Sequence, residues 1–429
     1  MTDVRVAVIG GGFGGLLIAI ALELAGIDDV VVVEARDQPG GCARTVRARG
    51  YALEPGAGSF ALPHPALGAL LDQGGVCVEP ARSRRRFIHD GDRLAEVTTP
   101  AQVLSRLSLP TRIRILAEPL RRRPPGLDDE SLSSFLHRRL GKKAGTMAAE
   151  LMAAGVFAGD GDRLSVAATF PMLPQLEIQY GSLVRGMLAR RRGRVARLPR
   201  PQPHIPCGGM DVLADSMAKH LQGRFRPSFP VSAVGGVTNG WRVEGPHDLT
   251  ARHLVLALPA TAAATVLGGE AATFLRQSST AAVVVAAFSG KADDCPLPDG
   301  FGVLCPGVGP TLGILFESSY APGRSPAGRS LVKVIAGGAR SPEVSDWSDQ
   351  VLARSLGEDI KRVLGWSEPQ LEAMARRTIP QYPLGHRAWL ARVESLTGDN
   401  LHLGGWSYRG PGLAQLAGDA RRIASVIAG

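Results

Sequence analysis

Three glycines and a carboxylate near the N-terminus have the types and spacing to hold a dinucleotide. Gly10, Gly12 and Gly15 satisfy Gly-x-Gly-x-x-Gly, with Phe13 and Gly14 inside the last gap. The first glycine permits a tight turn, the second lets backbone approach a pyrophosphate, and the third lets a helix lie close on a sheet. Glu34, followed by Ala35, comes about 20 residues later, where a carboxylate can accept hydrogen bonds from ribose hydroxyls. The elements that must position these groups are legible as well. Val4 to Ile9 is an apolar, β-branched run that predicts a strand. Residues 13–25 predict a helix ended by Gly26, whose free N–H groups and positive dipole end aim at a diphosphate. Val30 to Val33 predicts the second strand, which delivers Glu34. Strand, glycine turn, helix, strand and acid in this order carry far more information than a lone glycine fingerprint.

A second glycine turn follows in Gly40-Gly41-Cys42-Ala43-Arg44-Thr45. The extended pattern resembles the amine oxidase and phytoene desaturase superfamily of flavoproteins. In that superfamily the second glycine pair and the arginine, here Gly41 and Arg44, lie along the pyrophosphate and flavin. The resemblance implies bound FAD. Gly56, Ala57, Gly58 and Ser59 close an extended segment on small residues, where backbone can pack against a cofactor ring. In the tail, Gly405 follows a strand-like run, and Gly412 and Leu413 open a final helix, placing another helix N-terminus where it stabilises negative charge on a reduced ring. The resemblance adds Val231 to the cofactor contacts. No second Gly-x-Gly-x-x-Gly occurs, which argues against a separate nicotinamide domain and for return of electrons to oxygen or a diffusing acceptor.

Composition sets the outer limits. The 429 residues, 45% hydrophobic and 21% charged, suit a soluble chain of two or three domains. No run approaches the roughly 18 apolar residues of a spanning helix. Cys42, Cys77, Cys207, Cys295 and Cys305 are scattered without a Cys-x-x-Cys pair, which predicts a reduced, cytoplasmic protein with Cys42 as a small buried filler. Nine dispersed histidines predict no metal site. The net charge of +10 is unevenly placed: residues 82–200 hold 23 Lys and Arg against 11 Asp and Glu, a net +12. That field suits an anionic small molecule or an acidic membrane surface. Nucleic acid is disfavoured, because no binding module or aromatic platform accompanies the charge.

The pattern along the chain predicts an α/β protein, α+β overall. A discontinuous Rossmann-type FAD-binding domain is expected over 1–80, 205–265 and 386–429. A basic helical insertion, a candidate membrane-facing unit, is expected over 81–204, with 190–206 as a mobile Arg- and Pro-rich linker. A mixed-sheet substrate-binding domain is expected over 266–385, with Val- and Ile-rich strands at 281–288, 311–317 and 330–336.

Several spaced blocks narrow the resemblance. Gly155-Val156-Phe157-Ala158-Gly159-Asp160, Leu176-Glu177, Tyr180-Gly181-Ser182-Leu183, Gly208-Gly209-Met210, Gly300 to Leu304, Leu312 to Leu315 and Pro380-Gln381-Tyr382 are similar to the oxygen-dependent protoporphyrinogen or coproporphyrinogen oxidases. That resemblance implies oxidation of an anionic porphyrinogen to the porphyrin, six electrons passing through flavin N5 to O2 with release of H2O2. It implies that Arg86 pairs with a propionate. It also implies that Leu304 and Leu315 sandwich the macrocycle, that the Gly155 carbonyl faces the pyrrole N–H groups, and that Ile335 stands where relatives often stack an aromatic. No side-chain base is expected, since hydride transfer depends on geometry. Relatives are often peripheral membrane proteins or homodimers, alternatives the residues leave open, with localisation cytoplasmic or on the inner face of the cell membrane. Lys333 is unusual in its apolar strand, and Trp406, Pro411 and Ala414-Gln415-Leu416 depart from the family pattern. Those departures keep two other readings alive: another flavin oxidase of the superfamily, and a tetrapyrrole-binding flavoprotein without turnover.

Overall fold

The nucleotide half is built on a sheet buried on both faces. In this computed structural model, which describes residues 2–91, 93–124, 128–191 and 202–429, strand Thr2–Ile9 lies between Val30–Val33 and Leu249–Leu256, parallel to both. Leu401–Leu403 adds a parallel strand beyond Leu249–Leu256. The Ala233–Val237 and Gly240–Glu244 hairpin completes one edge and Phe225–Arg226 the other. Sequence segments far apart therefore share one sheet, as the returning βα pattern predicted.

Alternation explains the unbroken Val run at 30–33. Val6, Val8, Val30 and Val32 pack with helices Phe13–Leu24 and Leu413–Ala428 on one face. Ala7, Ile9, Val31 and Val33 pack with helix Ala260–Leu267 on the other. A strand covered on both sides has no polar positions, so it reads as continuously apolar.

A second sheet of seven strands runs in the order Gln370–Gln381, Ser279–Lys291, Arg329–Gly337, Thr311–Leu315, Gly302–Leu304, Arg86–His89, Leu94–Glu96. Its Arg86–His89 to Gly302–Leu304 pairing is parallel and the others are antiparallel, so it is mixed, as expected. On one face Phe87, Val303, Ile314, Val332, Val334, Val284 and Phe288 pack against Leu352, Leu356 and Ile360 of helix Asp349–Leu364.

Four expectations need correction. The stretch 81–204 is not all helical, because Arg86–His89 and Leu94–Glu96 belong to the second sheet. Its helical part is real, with Leu132–Leu140 and Lys142–Phe157 packed around Phe135, Ala149, Ala153 and Phe157. Of the expected linker, 192–201 lies outside the described residues, and Gln202–Pro206 is a strand between Phe60–Leu62 and Val78–Pro80. That pairing brings Cys77 and Cys207 together in a disulfide, contrary to the expectation of free thiols throughout. Cys42 is exposed, not a buried filler.

The basic field is also weaker than the composition suggests. Arg139 is fully buried and ion-paired with Glu118 and Glu177, and Arg138 pairs with Glu130 and Glu177. Those arginines hold helices together and are not offered to a partner.

Candidate functional site

The first glycine turn leads directly into helix Phe13–Leu24, whose N-cap Gly12 offers no side chain to the free N–H groups. Helices elsewhere in the chain use Thr99, Ser131, Ser165 and Ser348 as side-chain caps. An uncapped N-terminus leaves donors and a positive dipole end for an anion. Helix Leu413–Ala428 likewise starts on an uncapped glycine, Gly412. Gly15 has to be glycine: a β-carbon there would stand 1.9 Å from the Gly10 carbonyl oxygen.

Three glycine segments converge at this helix end. Gly12 forms a parallel bridge with Gly40. A β-carbon on Gly14 would lie 3.2 Å from the Gly405 α-carbon. The cradle is thus lined by bare backbone from 10–15, 40–41 and 405, a surface that fits a pyrophosphate and that side chains would fill. At one end of the cradle Glu34 is anchored by two N–H groups, Gly11 N to Oε2 at 2.7 Å and Arg36 N to Oε1 at 3.0 Å, with Ala35 exposed between them. The 228–231 segment runs alongside, Phe229 N donating to Glu34 O at 2.8 Å, and Val231 packs on the same cluster as Val33. Arg44 braces the second glycine turn: its Nη1 donates to Pro39 O at 2.8 Å and to Asp215 Oδ1 at 3.1 Å.

Gly56 to Ser59 sits on a buried ionic network that motif reading missed. Lys333 Nζ lies 3.1 Å from Gly56 O and 3.0 Å from Glu317 Oε1. Arg324 Nη2 donates to Gly58 O at 2.5 Å, and Arg324 pairs with Glu317 and, at 3.6 Å, with Glu54. Tyr320 Oη donates to Glu317 Oε1 at 2.8 Å. Burial favours protonation of Glu317, but Arg324 and Lys333 outweigh it and hold the carboxyl at about 2. Glu54 goes the other way. Burial dominates and raises its carboxyl above the ordinary range, although Oε1 accepts from Thr45 Oγ1 at 3.0 Å. Lys333 standing in an apolar run was the one sequence signal for this network.

The expected substrate residues share one sheet face. Arg86, Gly302, Leu315, Lys333 and Ala287 are successive cross-strand partners, and Ile88, Leu304, Gly313, Ile335 and Val285 form the next row. Since side chains alternate along a strand, both rows point away from helix Asp349–Leu364. Arg86 lies at the solvent end, its guanidinium carbon 5.9 Å from the Phe301 ring centre. Ile335 packs with Ala158, Val283 and Leu312.

Helix Lys142–Phe157 closes over this face. Gly155 stands in its last turn, and because Gly159 N donates back to Ala153 O at 3.1 Å, the Gly155 carbonyl loses its usual partner four residues on. A cavity of about 180 Å³ lies here, bounded by Leu304, Leu312, Ala154, Ala158 and the Glu150–Arg340 ion pair. At the other end of the site Tyr382 Oη accepts from Gly410 N at 2.7 Å, tying the altered C-terminal segment to the sheet. Among the described residues no cluster suited to a metal ion occurs.

The chain is similar to known proteins along nearly its whole length. The human protoporphyrinogen oxidase is 30% identical over 479 residues, covering 99% of this chain and 98% of its own. The chloroplastic protoporphyrinogen oxidase of Nicotiana tabacum is 29% identical, covering 98% of this chain and 85% of its own. Among solved structures, an Exiguobacterium sp. 255-15 protein assigned as a protoporphyrinogen oxidase superposes with a TM-score of 0.79 at 21% identity, covering 100% of this chain and 99% of its own. A putrescine oxidase variant made for redesign of cofactor binding superposes with a TM-score of 0.72 at 17% identity, covering 99% and 98%. Residues 13–418 match the family of flavin containing amine oxidoreductases. The chain belongs to that family and is an FAD-dependent oxidoreductase.

Proposed function

We propose that the chain oxidises a porphyrinogen to its porphyrin, with O2 as the electron acceptor. The observation that carries this reading is the shared sheet face, where Arg86, Leu304, Leu315 and Ile335 line one surface beneath Gly155. Apolar side chains at Leu304, Leu315 and Ile335 with an exposed arginine beside them suit a flat, greasy ring bearing propionates. Relatives named protoporphyrinogen oxidase along nearly the whole chain support the same substrate class.

FAD, when bound, accepts hydride from the substrate and passes the electrons on. The residues proposed to hold it are Gly10, Gly12, Phe13, Gly14, Gly15, Glu34, Ala35, Gly41, Arg44, Gly56 to Ser59, Val231, Gly405, Gly412 and Leu413. The work left to the protein is orientation: the sheet face and Gly155 hold the ring, and Arg86 sets which edge faces outward. The cavity of about 180 Å³ is below the roughly 300–1,000 Å³ of most ligand sites, so a macrocycle requires the Gly155 helix and the sheet face to part.

A side-by-side assay of protoporphyrinogen IX and coproporphyrinogen III tests the proposal. Porphyrin fluorescence should appear above the spontaneous background for at least one, with three H2O2 released and three O2 consumed per porphyrin, the balance for six electrons and six hydrogens. Bound FAD with no conversion of either substrate would reject it in favour of a tetrapyrrole-binding flavoprotein.

Peripheral membrane contact belongs to the same proposal. It is supported by an exposed apolar stripe, Leu109, Ile113, Leu116 and Leu120, each at least 57% accessible, beside the exposed Arg114 and Arg122. Among the described residues no helix is long and apolar enough to cross a membrane.

A further inference from the structure

Among the described residues Lys333 is the one buried lysine, and its neighbours along the row are Leu315 and Ala287. An ammonium group in such a place is costly unless it is paired and hydrogen-bonded. Here it is both. Its two partners are the Glu317 carboxylate and the Gly56 carbonyl, at 3.0 and 3.1 Å. Arg324 repeats the arrangement, sharing Glu317 and donating to Gly58 O. Two buried cations thus support one four-residue segment from below, each through a backbone carbonyl.

The two carboxylates beneath that segment are held unequally. Lys333 and Arg324 keep Glu317 ionised, whereas burial raises the Glu54 carboxyl and leaves its Oε2 without a hydrogen-bond partner. Lys333 and Arg324 are the two cations bonded directly to the segment, at the Gly56 and Gly58 carbonyls. Hydride transfer breaks a substrate C–H bond and delivers two electrons with one proton, so the accepting ring gains one negative charge. Cations fixed behind the ring by the Gly56 and Gly58 carbonyls favour that state, as preorganised charge does in a site that excludes water.

We propose that Lys333 is a positioning residue whose buried ammonium, acting through the Gly56–Ser59 backbone, raises the affinity of bound FAD for electrons. The inference rests on the proposed contact of FAD with Gly56 to Ser59 and on no particular substrate.

Sulfite titration of the purified holoprotein tests it, because sulfite bleaches the flavin by placing negative charge on the ring. K333M should retain FAD, judged by absorbance near 450 nm, while its sulfite Kd rises about tenfold or more and its reduction potential becomes more negative. K333R should restore most of the affinity. E317Q removes the counter-charge and should tighten sulfite binding, the opposite direction, whereas a merely structural pair would shift both variants the same way. A K333M holoprotein with sulfite Kd within twofold of the parent overturns the proposal. Should K333M lose its FAD, unchanged or weaker sulfite binding by E317Q overturns it instead. A57F separates the two layers of inference. It should strip or spectrally perturb the flavin, and an unaltered A57F overturns the FAD contact and with it the role of Lys333. A perturbed A57F beside an unaltered K333M overturns Lys333 alone.

Discussion

Gly155 faces Leu304 so closely that a β-carbon at 155 would stand 3.7 Å from both leucine methyl carbons. That is ordinary contact, so G155A should fold and turn over near the parent rate. G155F adds a ring at the exposed last turn of the helix, beside Leu304 and the gap between helix and sheet. Its kcat/KM for porphyrinogen should fall about a hundredfold, roughly 2.7 kcal/mol, with the 450 nm absorbance of FAD intact. Equal activity of G155F and parent would take this cavity out of the reaction.

Arg86 stands on the same face, on the strand next to that of Leu304 and paired with Gly302. R86A should raise the KM about tenfold with little change in kcat, since a propionate anchor binds ground and transition states alike. FAD content should not change. Steady-state kinetics at two ionic strengths provide the check, because the parent KM should rise with salt and that of R86A should not.

At Gly15 the obstacle is backbone. G15A drives a methyl group into the Gly10 carbonyl, 1.9 Å away before relaxation, and neither chain segment can yield without opening the turn. The ratio of 450 to 280 nm absorbance should drop to about a tenth of the parent value. Full flavin occupancy in G15A would mean that the cradle tolerates a wider turn than the close helix packing implies.

His402 and His253 stack with ring centres 5.7 Å apart, and each has a ring nitrogen without a hydrogen-bond partner. Burial, with His253 and Arg422 adding repulsion, lowers His402 from 6.5 to about 4. A group held neutral in the fold contributes stability above its unfolded pKa and loses it as pH falls through the folded value. Stability should therefore drop by up to about 3 kcal/mol between pH 6.5 and 4 from this residue alone. Urea unfolding of H402F across that range should show a shallower decline than the parent, and parallel curves would exclude His402 as the source.

The stripe at 109–120 makes a separate prediction. L116S/L120S should reduce co-sedimentation with anionic phosphatidylglycerol vesicles severalfold and leave detergent-free FAD content unchanged. Identical sedimentation would show that the face does not touch lipid.

The parts of this protein that were readable in the chain are those with a local pattern. The Gly10 turn, Glu34 and the Val30–Val33 strand announce themselves because each is a short, contiguous device with its own periodicity. Arg86 to His89 did not, since its four residues begin in an arginine run and take their place in the sheet by pairing with Gly302–Leu304, far along the chain, as well as with Leu94–Glu96. Gln202–Pro206 carries two prolines and reads as loop, yet Pro203 uses only its carbonyl, accepting from Ala81 N at 2.9 Å. The network of Glu54, Glu317, Arg324 and Lys333 is assembled from three separate segments, so charge counting along the chain could flag Lys333 and go no further.

The Cys77–Cys207 bond joins residues 130 apart, at the point where Val78–Pro80 pairs with Gln202–Pro206. Helices Leu132–Leu140 and Lys142–Phe157 lie in the chain between those two cysteines. The cluster of those helices takes in Tyr382, whose Oη accepts from Gly410 N, so a rearrangement of the helices is transmitted to the glycine segment that opens the last helix.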